Sequence, residues 1–131
     1  MMMNPYLSTI VWWAVFFVLM VIAVWIFVLV TPFKLRKETE EKNGALGAAL
    51  AGLLIGIAII IFAAMATSAS ILTAISYSVL GFALMLISYF IYDLITPEKI
   101  SQEIDDHNML VGLKIAGLFI AVSLVVGGAL L

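Results

Sequence analysis

Residues 31–58 read TPFKLRKETEEKNGALGAALAGLLIGIA, and 65 positions later residues 96–123 read TPEKISQEIDDHNMLVGLKIAGLFIAVS. Laid over each other without a gap, they share Thr31/Thr96, Pro32/Pro97, Lys34/Lys99, Glu38/Glu103, Asn43/Asn108, Gly47/Gly112, Ala51/Ala116, Gly52/Gly117, Leu53/Leu118 and Ile55/Ile120. An apolar bias does not by itself repeat a Thr-Pro step, a Lys, a Glu and an Asn. The chain reads as two copies of one unit, 6–66 and 71–131, within a single four-helix domain. Each copy is a span, a charged loop and a second span. An even number of spans per copy makes both point the same way, so the pseudo-twofold axis runs along the membrane normal.

The flanking sequence supports this. Of 131 residues, 66% are hydrophobic and 11% charged, and the mean hydropathy is +1.28. Soluble domains carry about a quarter charged residues, so the composition excludes an ordinary globular fold. Four stretches, 6–30, 45–66, 71–92 and 109–131, each reach 22 residues or more with at most one charge. About 20 suffice to cross a hydrocarbon core of ~30 Å. The expected fold is an all-α membrane protein of four transmembrane helices, with short interfacial helices in its two charged loops. The run at 6–30 reads as a retained span, because no Lys or Arg precedes it and it is too long for a signal-peptide core.

Charge orients the chain. Loop 31–44 holds Lys34, Arg36, Lys37, Glu38, Glu40, Glu41 and Lys42, and loop 96–108 holds Glu98, Lys99, Glu103, Asp105 and Asp106. Five basic residues lie in the loops of one face and none on the other. The positive-inside rule then predicts cytoplasmic loops and outside termini. Trp12, Trp13, Trp25, Tyr89 and Tyr92 fall toward span ends, where aromatic belts form, and are expected to face lipid.

Local chemistry predicts how each loop turns. Thr31-Pro32 and Thr96-Pro97 pair a capping hydroxyl with a proline suited to the first helical position. Leu35, and Ile100 with Ile104, supply an apolar side for lying on the membrane surface. Asn43 and Asn108 stand just before the next apolar run, where an amide oxygen caps free N–H groups.

Spans 1 and 3 carry nearly all the aromatics, whereas spans 2 and 4 are rich in small residues. The rows Gly44, Ala48, Gly52, Gly56 and Gly112/Ala116, Gly117/Ala121 let backbones approach closely. Spans 2 and 4 are expected at the packed centre, with the rows serving packing within the chain and between copies. A polar pore through that centre has almost no residues to line it.

Catalysis fails on inventory. There is one histidine and no cysteine, so Ser-His, Cys-His and carboxylate-dyad constellations within the bilayer are missing and no enzyme is expected. No cofactor is predicted, and a pI near 5.1 offers no field for nucleic acid. Asp93 and Lys114 are the ionisable groups set into spans, read either as a structural pair with Lys114 snorkelling or as part of a transport path. Glu38, Glu41 and Asn43 with Glu103, Asp106 and Asn108 form a twofold oxygen set that is either solvated or a divalent-cation site.

At the Thr-Pro, acidic-Asn and Ala-Gly-Leu elements of both copies, the chain resembles the YjfL-like family of small prokaryotic inner-membrane proteins, domain of unknown function 350. That resemblance covers essentially the whole chain and implies four helices in two repeats and a location in the prokaryotic cell (inner) membrane. Copy two departs from copy one in placing Lys114 where the first has Ala49. The expected function is a non-enzymatic, self-associating membrane protein whose charged loop helices meet a cytoplasmic or membrane protein partner. The alternative is a homo-oligomeric channel or transporter with its pathway between subunits.

Overall fold

The computed structural model describes residues 4–30, 43–96 and 100–131. It contains helices α1 (Pro5–Val30), α2 (Gly44–Thr67), α3 (Ile71–Ile95), α4 (Ile100–Asp105) and α5 (Met109–Leu130). All but α4 are long and apolar enough to cross a membrane. Their starts follow from capping chemistry. Asn4 Oδ1 accepts from the Tyr6 N–H at 2.8 Å, with Pro5 in the first helical position. Asn43 caps α2, Ser70 caps α3 and Asn108 caps α5.

Small residues decide which helices touch. A Cβ on Gly52 would run into the backbone of Ala116, and one on Gly112 into the backbone of Ala45. On Gly56 it would lie 2.9 Å from the Phe119 carbonyl oxygen. These contacts climb both helices in the same direction, so α2 and α5 are parallel and nearly backbone to backbone. Such proximity is how helices gain dispersion energy where lipid supplies no hydrophobic drive. Leu53, Ile57, Ile60 and Ile115 fill the space beside the glycines. The pair forms the centre.

Helix α3 crosses in the opposite sense. A Cβ on Gly81 would press on the Ile60 side chain at 2.5 Å, and one on Gly56 would meet the Met85 sulfur at 3.2 Å. Tyr89 stacks on Phe119 with ring centroids 5.8 Å apart and planes 17° apart. Phe27 of α1 meets the same Phe119 edge-on, also at 5.8 Å. Edge-on and offset stacks are the favoured aromatic geometries. Helix α1 otherwise buries only Phe16 and Ala23, against eleven buried residues in α2.

Two local expectations are corrected. Tyr89 is 1% exposed and sits in the core, because Phe119 offers it a ring to stack on. Thr96 ends α3, its hydroxyl donating to the Tyr92 carbonyl at 2.6 Å, as does its own N–H; the helix start expected at Pro97 lies outside the described residues. Ile100 and Ile104 do not lie on the membrane surface. At 1% and 0% exposure they are buried in the apolar core. Turning them inward removes apolar area from water and closes the end of the bundle. The corresponding helix expected in 31–42, Leu35 included, lies outside the described residues.

Candidate functional site at the charged end

Parallel packing of α2 and α5 brings two helix N-termini side by side at the end that carries the charges. Each N-terminus has unpaired N–H groups and a partial positive charge. The chain answers with its two asparagines. Asn43 Oδ1 accepts from the N–H groups of Ala45 at 3.0 Å and Leu46 at 3.2 Å. Its amide Nδ2 donates to the Ile104 carbonyl at 2.6 Å. That carbonyl belongs to the last turn of α4, so the negative end of one helix meets the positive end of another. Asn43 is 6% exposed and uses both halves of its amide.

Asn108 works differently. Its Oδ1 accepts from the Val111 N–H at 3.4 Å, and its Nδ2 donates to Glu103 Oε2 at 2.9 Å. The turn before it is closed by two main-chain bonds, from the Asn108 N–H to the Glu103 carbonyl and from the His107 N–H to the Ile104 carbonyl. This six-to-one and five-to-two pattern is the Schellman ending of a helix. The motif needs a left-handed residue, and His107 supplies it with φ 61°. Glycine is the usual occupant because it has no Cβ to clash.

The half-buried Asp93 carboxylate accepts from the Ile100 N–H, the first of α4, at 3.3 Å. Asp93 therefore binds α3 to the start of α4, while Asn43 binds α2 to its end. Lys114 lies on the exposed side of α5. Of the oxygen set read as a cation site, Glu38 and Glu41 lie outside the described residues. Glu103 is half-buried and Asp106 exposed, with Asn43 and Asn108 spent on capping. Among the described residues, no three His, Asp or Glu side chains cluster closely enough to hold a metal ion.

The small-residue rows divide. Gly52, Gly56 and Gly112 are buried in the α2–α5 seam, with Ala116 against Gly52. Gly44 is exposed beside the Met109 methyl, and Ala48 is half-buried. Gly117 and Ala121 face outward, and a Cβ on Gly117 would meet nothing. Gly81 also makes a close approach that the row pattern passed over. A lone glycine in an aromatic-rich span was the available signal for Gly81.

Four apolar spans around a close-packed seam, with the charged residues gathered at one end, define a polytopic helical membrane protein. Over residues 1–130 the chain matches the family described as Domain of Unknown Function (DUF350), and it belongs to that family. It is also 34% identical over 110 residues to the UPF0719 transmembrane protein YshE of Bacillus subtilis (strain 168). The match covers 83% of this chain and 82% of that protein. No solved structure matches the chain.

Proposed function

We propose that this is a non-enzymatic inner-membrane protein that self-associates and presents its charged loop helices to a protein partner on the cytoplasmic side. The observation that carries the reading is the anchoring of α4. A six-residue helix is too short to be stable alone. Here Ile100 and Ile104 are buried, Asp93 holds its start, and Asn43 holds its end. Its exposed positions and the following turn carry Gln102, Asp106 and His107. A polar segment held this firmly is preorganised for recognition, which lowers the ordering cost of binding.

The orientation is tested by cysteine labelling in intact cells. Cysteines in 67–70 label from outside and Glu103→Cys from inside; outside labelling of the latter overturns the topology. Partner presentation is tested by site-specific crosslinking from Gln102 and Asp106. Adducts of defined mass from these positions, with none from Leu124, support it. The purified protein in liposomes should pass no ions, and a robust flux would favour the conduit instead.

A further inference from the structure

At the opposite, uncharged end, α1 and α2 diverge and leave a groove of about 950 Å³. Its walls are aromatic and aliphatic. Trp12, stacked on Phe16 at 5.6 Å, forms one side, and Ile61, Phe62 and Met65 form the other. Its mouth is polar, ringed by Ser8, Thr9 and Ser68. Along α1 it runs from Ser8 to Met20, which at 1.5 Å per residue is ~18 Å. That is close to one leaflet, half of a ~30 Å hydrocarbon core.

Two features identify the occupant. The Ser68 Oγ is buried and has no hydrogen-bond partner among the described residues. A buried hydroxyl without a partner is costly, so a group in the mouth that accepts its proton is favoured. In addition, no Lys, Arg, Asp or Glu occurs in residues 1–33 or 43–92, which include every residue of the groove. A phosphate head would find no cation there.

We infer that the groove binds an uncharged lipid of that leaflet, its hydrogen-bonding head at Ser68 and one apolar tail along Trp12 and Phe16. Length, apolar walls and a neutral polar mouth all match such a molecule. A phospholipid matches the length and the walls but not the mouth.

The test uses the full chain with Trp25→Phe, which leaves Trp12 and Trp13 as the only tryptophans. Reconstituted in phosphatidylcholine vesicles, it is titrated with diacylglycerol, phosphatidylcholine or phosphatidylglycerol carrying the same brominated chain. Diacylglycerol is expected to half-quench at a mole fraction about fivefold lower than either phospholipid, the effect of one net hydrogen bond. Ser68→Ala should erase that preference, and Ala58→Phe, which fills the groove, should weaken quenching by all three. Equal quenching by the three lipids means a non-selective lipid shell and overturns the proposal. So does a preference for phosphatidylglycerol, or a preference that survives Ser68→Ala.

Discussion

The side-chain amide of Asn43 reaches the main-chain carbonyl of Ile104, 61 residues further along the chain, at 2.6 Å. One side chain thus caps α2 and fastens α4 across its end.

Replacing it separates the two roles. Asn43→Asp keeps the capping oxygen and loses the donor, whereas Asn43→Ala loses both. The Ile104 carbonyl still accepts from His107, so no acceptor is left bare. The expected costs are about 1 kcal/mol for Asp and about 2 kcal/mol for Ala. Unfolding in detergent measures both: an Asp variant as stable as the parent would show that the link to α4 contributes nothing, and equal losses that the cap contributes nothing.

His107→Gly should stabilise the protein. A non-glycine residue at φ 61° pays a steric cost that glycine avoids, offset in part by the entropy glycine brings to the unfolded chain. A gain of about 0.5–1 kcal/mol is expected. A loss of that size would mean that the imidazole makes contacts worth more than the strain.

Glycines of similar sequence setting should differ sharply. Gly52→Ala must push Ala116 away and separate α2 from α5, at about 1–3 kcal/mol. Gly117→Ala enters open space and should raise the melting temperature slightly, since alanine costs less chain entropy in a helix. If copies associate through the outward row, Gly117→Leu weakens the detergent-stable oligomer without unfolding the chain. Gly52→Leu should also disrupt the structure more than Phe17→Leu, since Phe17 is exposed.

For the charged pair, a double-mutant cycle decides. Asp93→Asn keeps an acceptor for the Ile100 N–H, so capping is largely retained. Any further loss then reports electrostatics with Lys114. A coupling of about 1 kcal/mol between Asp93→Asn and Lys114→Met is expected, the scale of polar pairs between membrane helices. Additivity within about 0.3 kcal/mol removes the pairing. Flux altered by either change, with assembly intact, would speak for a conduit.

Four spans, their ends and the asparagine caps were legible because each depends on local composition. The central α2–α5 pair was legible too, since Gly52, Gly56 and Gly112 can only matter where backbones touch. The destinations of amphipathic residues were harder. Ile104 and Tyr89 each carry an apolar body that suits either a membrane surface or a protein core. Only the positions of Asn43 and Phe119, far away in sequence, decide between those environments. The outer groove escaped notice for a related reason: it comes from the shallow docking of α1, and no motif encodes a gap.

The stack of Phe27 and Tyr89 on Phe119 sets an order of events. During synthesis α1 enters the bilayer long before α5 exists, so the ring that Phe27 rests on arrives some 90 residues late. Until then α1 rests only on its shallower contacts with α2 and α3, without the ring that later meets Phe27. The hairpin of α2 and α3, which packs Ile60 against Gly81, has no such wait, since a three-residue turn joins the two helices. The helix inserted earliest thus gains its last aromatic contact only when the final span docks beside α2.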